Sequence, residues 1–245
     1  IALSLVGSEM CIRDRGEVAF AIGATADEVC FSSGGTESNN MAIHGVMLQH
    51  APDSGAHLIV SNFEHPAVSA PVEYLQRMGY QITEVPCDEN GVVTAQRVAE
   101  AIRDTTVLVS IMHSNNEIGT LQPISKISEV CREQNVLLHT DAAQSVGKVS
   151  TQVDEIGVDL MTIAGHKVYA PKGVGALYVR TGVSLDPVLY GAGHERGLRP
   201  GTENVPSIVG LGKAMKLAHR SLEESSERLG NCLLYTSDAA DEERG

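Results

Sequence analysis

The strongest constraint on this chain is a regular alternation of short, almost wholly apolar runs with amphipathic stretches. The runs are HLIVS (57–61), Gln81–Pro86, TVLVSIMH (106–113), VLLHTD (136–141), DLMTIA (159–164) and GALYVR (175–180), each of strand length. Between them, Ala67–Met78 places Val68, Val72, Leu75 and Met78 at helical spacing. Helices are also expected over Thr94–Arg103, Ile124–Gln134 and from Glu203 to about Leu229. Strands apolar on both faces, separated by helices, predict an α/β fold: a mostly parallel sheet flanked by helices in three layers. Ligands in such folds sit at the carboxyl ends of the strands.

Composition narrows the function classes. Across 245 residues, 18 basic against 31 acidic side chains give a net charge of −13. That balance argues against nucleic acid or an anionic membrane as the main partner. Cys11, Cys30, Cys87, Cys131 and Cys232 are odd in number, widely spaced and free of any CxxC pattern. Neither a disulfide framework nor a metal site is expected, and a reducing, cytoplasmic compartment fits. No apolar run reaches the ~18 residues that span a bilayer. The opening IALSLVG has no basic region before it and does not read as a signal peptide.

Both ends stand apart from the pattern. Residues 4–15 (SLVGSEMCIRDR) and 232–241 (CLLYTSDAAD) resemble translated sequencing linker, and neither continues its neighbour's periodicity. Residues 1–15 and 231–245 are therefore expected to be non-native or disordered ends, and Cys11 and Cys232 are discounted.

Four polar segments lie at expected strand ends. Ser32–Asn40 (SSGGTESNN) has two glycines that permit close backbone approach, and Thr36 as a cap for the next helix. Such a helix start suits a phosphate, although a plain strand–turn–helix cap explains it equally well. The third glycine of a dinucleotide fingerprint is absent. In HTDAAQ (139–144), Asp141 suits either a protonated ring nitrogen or a helix cap. In AGHK (164–167), Lys167 is either a Schiff-base former or a surface lysine. His65, after NFE (62–64), suits stacking on a flat cofactor and proton transfer, or a solvent-touching helix start. Asp141 and Lys167 are 26 residues apart, about two strand ends, so one ligand could touch both. A phosphate cradle, an acid and an amine are the three handles that pyridoxal phosphate (PLP) needs.

SSGGTESNN, EHPAV, SIMHSNNEIGTLQPI, HTDAAQSVGKV, DLMTIAGHKVYAPKGVGALYVR and GAGHERGLRPGTENVPSIVGLGKA together resemble the cysteine desulfurases. These belong to the class-V branch of fold-type-I PLP enzymes, with selenocysteine lyases as close relatives. The resemblance covers roughly residues 16–230 and implies a PLP-binding large domain, truncated at both ends. It implies that Lys167 binds the cofactor's aldehyde and moves the substrate's α-proton, and that Asp141 pairs with the ring nitrogen. Gln144 would donate to the ring hydroxyl, and His65 would stack on the ring and act as acid or base. Gly35, Thr36 and His166 would contact the phosphate, with Asn116 near the ring hydroxyl and the substrate carboxylate. Thr202 would reach the phosphate of a neighbouring subunit, implying a homodimer.

The implied activity converts L-cysteine to L-alanine and leaves a persulfide for a sulfur acceptor or an iron–sulfur scaffold protein. The family's nucleophilic cysteine lies beyond this chain, so the fragment is expected to be inactive in desulfuration. Cys30, Cys87 and Cys131 read as small buried or neutral residues rather than nucleophiles. Ala164 stands where many desulfurases have serine, which removes a phosphate hydroxyl and leans toward a lyase-like or divergent subgroup. Selenocysteine lyase, another class-V reaction such as amino transfer, and an inactive PLP-fold partner subunit remain as alternatives.

Overall fold

A computed structural model describes residues 2–228. The elements run α1 (Ala2–Ile22), β1 (Val29–Ser32), α2 (Gly35–Met47), β2 (His57–Ser61), α3 (Pro66–Arg77), β3 (Gln81–Val85) and α4 (Ala95–Ala101). They continue with β4 (Thr106–Ser110), α5 (Ile124–Glu133), β5 (Leu137–Asp141), α6 (Val153–Ile156), β6 (Leu160–Ala164), β7 (Gly175–Val179) and α7 (Val205–Arg220).

The strands form one sheet in the order β1-β7-β6-β5-β4-β2-β3. Pairs β2/β3, β2/β4, β4/β5 and β5/β6 are parallel. β7 runs antiparallel to both β6 and β1. The chain steps outward from β2 to β3, returns to β4, then moves the other way through β5 and β6. The progression therefore reverses between β2 and β4, where open α/β sheets form their ligand crevices.

Alternate residues of each strand enter opposite cores. Leu58 and Val60 pack with Met41, Met47, Val72 and Leu75 of α2 and α3. Ile59 packs on the other face, with Val18, Ile22, Val98, Ile127, Leu211 and Met215 of α1, α4, α5 and α7. Leu108, Leu160 and Leu177 repeat the first assignment, and Val109, Met161 and Tyr178 the second. Each fully buried Leu or Ile contributes roughly 1.5–3 kcal/mol by leaving water. The layers are thus helix–sheet–helix, as the run of apolar strands predicts.

The α2-facing side of the sheet also buries a polar ladder across three strands. Ser110 Oγ and His139 Nδ1 are 2.8 Å apart, and His139 Nε2 and Thr162 Oγ1 are 3.1 Å apart. Burial pushes His139 down to about 3, so its ring is neutral and both nitrogens are satisfied by hydroxyls.

The N-terminal segment is helical. α1 runs unbroken from Ala2 to Ile22, through the stretch 4–15 that shows no continuing apolar pattern. Cys11, Asp14, Val18 and Ile22 are buried at helical spacing, and α1 lies against α7. The stripe includes charged residues, so hydrophobicity alone hides it. Asp14 abuts Gly212, where an added Cβ would come within 2.7 Å of the Asp14 Cβ. Arg15 fills the remaining gap with a bidentate pair to Glu195, both contacts at 2.6 Å. Residues 229–245, with Cys232, lie outside the described part. Among the described residues, no helix is long and apolar enough to cross a membrane.

Candidate active site

A cavity of about 180 Å³ opens at the carboxyl side of the strands, beside the β2/β4 reversal. The structure brings eight of the residues singled out in the sequence to its wall: Gly35, Thr36, His65, Asn116, Asp141, Gln144, His166 and Lys167. Thr202 is not among them. It is exposed and lines a separate depression with Ser33, Arg199 and Asn204.

α2 begins at this cavity, and no side chain caps it. Its N-cap is Gly34, at φ 148°. Thr36 therefore sits inside the first turn, not at the cap position that the sequence suggests. Gly34 is favoured by that φ, and Gly175 opposite it is required by crowding: a Cβ on Gly175 would lie 2.7 Å from the Gly34 Cα and 2.6 Å from the Ile163 carbonyl. The turn is pressed onto the start of β7, which aims an uncapped helix N-terminus at the cavity. Such an end, with its unpaired amides and positive dipole, suits an anion. Glu37 braces the turn, accepting from the Ser33 N–H and pairing with Arg199 Nε at 3.0 Å.

Asp141 ends β5 and splits its two oxygens between two tasks. Oδ1 accepts from the Ala143 N–H at 2.9 Å, which caps the following turn. Oδ2 accepts from Asn39 Nδ2 at 2.7 Å. The cap reading of this aspartate is the one the structure shows, and the carboxylate also lines the cavity. Burial pushes its carboxyl above the ordinary range, against the pull of these donors and of the nearby His65 and Lys167 side chains. A cation set against Asp141 would relieve that penalty.

His65 likewise combines two roles. It is the N-cap of α3, with Nδ1 accepting from the Ala67 N–H at 3.0 Å, while its ring lines the cavity. Accepting at Nδ1 leaves the proton of the neutral ring on Nε2. Lys167 is half-buried on a tight turn over Gly165–Val168 that follows β6. Tyr169 ends this turn in the left-handed region, at φ 63°.

The residue-by-residue reading of the sequence did not single out Asn39 or Glu64. Asn39 is three residues from Thr36 on α2, which puts both on one helix face; that spacing was the available signal. Glu64 joins the two loops flanking the reversal, with Oε1 accepting from Ser61 Oγ and from the Met112 N–H. Its Oε2 is enclosed without a partner among the described residues, although the residue as a whole is half-buried. Burial pushes this carboxyl up to about 8, and the nearby Asp141 charge adds to the shift.

None of the described cysteines lines the cavity. Burial pushes Cys30 and Cys131 up to about 12, and Cys11 upward as well. An amine, an opposed carboxylate and an uncapped helix start with a hydroxyl beside it thus converge on one space. These residues fit pyridoxal phosphate, whose aldehyde, ring nitrogen and phosphate are complementary to them.

A family model for aminotransferase class-V matches residues 9–233. A cysteine desulfurase IscS from Dictyoglomus turgidum is 48% identical over 215 residues, covering 88% of this chain and 54% of that protein. Among solved structures, SspA in complex with cysteine matches with a TM-score of 0.86 at 41% identity, covering 88% of this chain and 62% of that one. DndA from Streptomyces lividans matches with a TM-score of 0.85 at 37% identity, covering 91% of this chain and 64% of that one. The chain spans about half the length of the curated relatives it matches. The sheet order, the residues that converge on the cavity and a family match over nearly all of its length agree, and the chain belongs to the class-V aminotransferase family of PLP-dependent enzymes.

Proposed function

We propose that the parent protein is a PLP-dependent cysteine desulfurase that converts L-cysteine to L-alanine and passes the sulfur to a protein thiol as a persulfide. The observation that carries this reading is the single cavity shared by Lys167, Asp141 and the start of α2. The names of the most similar relatives support the choice of cysteine as substrate. When bound, the cofactor supplies an electron sink for the bonds broken at the amino acid.

Lys167 holds the aldehyde end and takes the proton from the substrate Cα. Asp141 keeps its carboxylate against the ring nitrogen, with Asn39 holding Oδ2 in place. Gly35, Thr36 and His166 receive the phosphate. Gln144 and Asn116 face the ring hydroxyl and the substrate carboxylate. His65, with its proton on Nε2, stacks on the ring and serves as acid or base. The attacking thiolate comes from the rest of the parent chain, because none of the described thiols lines the cavity. It forms an S–S bond as the substrate's Cβ–S bond breaks, and the electron pair left on Cβ takes up a proton.

A second copy of the chain completes the phosphate end by supplying Thr202, which stands exposed and apart from this cavity. The acceptor of the persulfide is a sulfur-carrier or iron–sulfur scaffold protein. The cysteines Cys11, Cys30, Cys87 and Cys131 are free thiols, which supports a reducing compartment such as the cytoplasm. The test is Lys167→Ala in the complete protein. Loss of both the visible absorbance of bound cofactor and alanine release is expected; survival of both would overturn the reading.

A further inference from the structure

The turn that offers the anion cradle is itself pinned by an anion. Between β1 and α2 the Ser33 N–H donates to Glu37, and the Gly34 N–H donates to Ser32 Oγ at 3.2 Å. Ser32 Oγ lies 2.7 Å from Ser38 Oγ, and the Ser38 N–H donates to the Gly34 carbonyl at 3.1 Å. The amides of Gly35 and Thr36 are the first two of α2, where a helix has no partner of its own to give, and no side chain caps them. They are the donors that remain for a phosphate in the cavity that both residues line.

Glu37 is the next residue of the same turn, so its charge sits on the helix start that receives the phosphate. Its side chain is 15% exposed and that of Arg199 is 25% exposed, so water screens this corner only in part. Burial opposes the charge of Glu37, but the Ser33 and Arg199 donors prevail and hold its carboxyl below the ordinary range. The depression behind the turn adds Glu195, which Arg15 neutralises, and Glu203. A phosphate seated on α2 would be repelled by an uncompensated carboxylate in its first turn. Arg199 supplies the compensation. Its Nε donates to Glu37 Oε1 at 3.0 Å, while Oε2 keeps the Ser33 N–H. Among the described residues, no other cation pairs with Glu37.

We propose that Arg199 is a positioning residue for the cofactor's phosphate: it neutralises Glu37, so that this carboxylate pins the cradle turn without repelling the anion on the same helix start. The proposal rests on the cavity being the PLP site. Two consequences separate it from a merely structural role. The loss on removing Arg199 falls on ligands that carry the phosphate. It is also reversed by removing the Glu37 charge, because glutamine keeps an oxygen for the Ser33 N–H. A segment that Arg199 merely anchored would not be restored by a second substitution at its partner.

The experiment uses the complete parent protein with Arg199→Met, Glu37→Gln, the double variant, Arg199→Lys and Lys167→Ala. Each apoprotein is titrated with PLP, followed by visible absorbance, and with pyridoxal lacking the phosphate. Arg199→Met should bind PLP roughly 5- to 30-fold more weakly, and pyridoxal less than about 3-fold more weakly. The double variant should return to within about 3-fold of Glu37→Gln, and Arg199→Lys, which keeps the charge, should stay within about 3-fold of the unmodified protein. If Arg199→Met folds poorly, Arg199→Gln carries the same expectation. Equal losses for PLP and pyridoxal, no loss in Arg199→Met, or a double variant as weak as Arg199→Met would each overturn the role of Arg199. With Lys167→Ala losing the absorbance, those outcomes leave the cofactor site standing. Absorbance retained in Lys167→Ala would overturn both.

Discussion

Asn39 Nδ2 donates to Asp141 Oδ2 at 2.7 Å, joining residues 102 positions apart in the chain. This bond orients the one buried carboxylate on the cavity wall, and it links the uncapped start of α2 to the end of β5.

Asn39→Leu should weaken cofactor binding without changing its covalent attachment. Hydrogen bonds to charged groups are worth about 1.5–3 kcal/mol, so affinity should fall by roughly ten- to a hundredfold. Equilibrium titration of the apoprotein with PLP reads this directly. An unchanged affinity would mean that Asp141 is held by the turn at Ala143 alone.

Glu64 should make stability depend on pH. The folded carboxyl keeps its proton to about 8, whereas the ordinary value is 4.5. Across that window the folded state binds more protons than the unfolded chain, so stability falls as pH rises. The contribution is fully present below 4.5 and lost by the time pH has passed 8. Glu64→Gln keeps an acceptor for Ser61 and Met112 and carries no titration. Denaturant unfolding at pH 5 and pH 8.5 should show the variant losing less stability than the unmodified protein, by on the order of a few kcal/mol. Equal losses would show that Glu64 is ionised in the folded state throughout.

The Arg15–Glu195 pair should anchor α1 to the loop before α7. Glu195 accepts twice from Arg15 and also from the Phe31 N–H at 2.8 Å, and it holds a left-handed backbone at φ 46°. Such strain persists only where the surroundings over-determine it. Arg15→Ala leaves a carboxylate buried without its partner and should destabilise by about 3–5 kcal/mol. The double variant Arg15→Ala/Glu195→Ala should lose less than the sum of the single variants, and simple additivity in that cycle would remove the pair as the cause.

Gly175→Ala should disturb the anion cradle from behind. Its Cβ would meet the Gly34 Cα and the Ile163 carbonyl, both backbone, so neither can rotate away. Overpacking of this kind costs roughly 1–3 kcal/mol. The affinity for inorganic phosphate should fall more than that for pyridoxal lacking its phosphate, measured by competition with PLP. A uniform fall would place the damage elsewhere in the fold.

The sequence by itself determined the elements and the chemistry of their ends. Apolar runs placed β2 through β7 to within a few residues, because strands covered on both faces are mostly apolar and their few buried polar groups, such as Ser110, His139 and Thr162, pair with one another. The cavity-lining side chains Asp141, Lys167 and His65 were legible because each interrupts that pattern near a strand end. Only the tertiary structure decided the order β1-β7-β6-β5-β4-β2-β3 and the reversal of β7, since a buried strand reads alike in either direction. It also decided that Asn39 holds Asp141, that one Glu64 oxygen is enclosed without a partner among the described residues, and that Arg15 pairs with Glu195 beside the buried stripe of α1. These assignments depend on which distant group ends up opposite a polar atom. Periodicity is a property of neighbours along the chain and carries no record of that pairing.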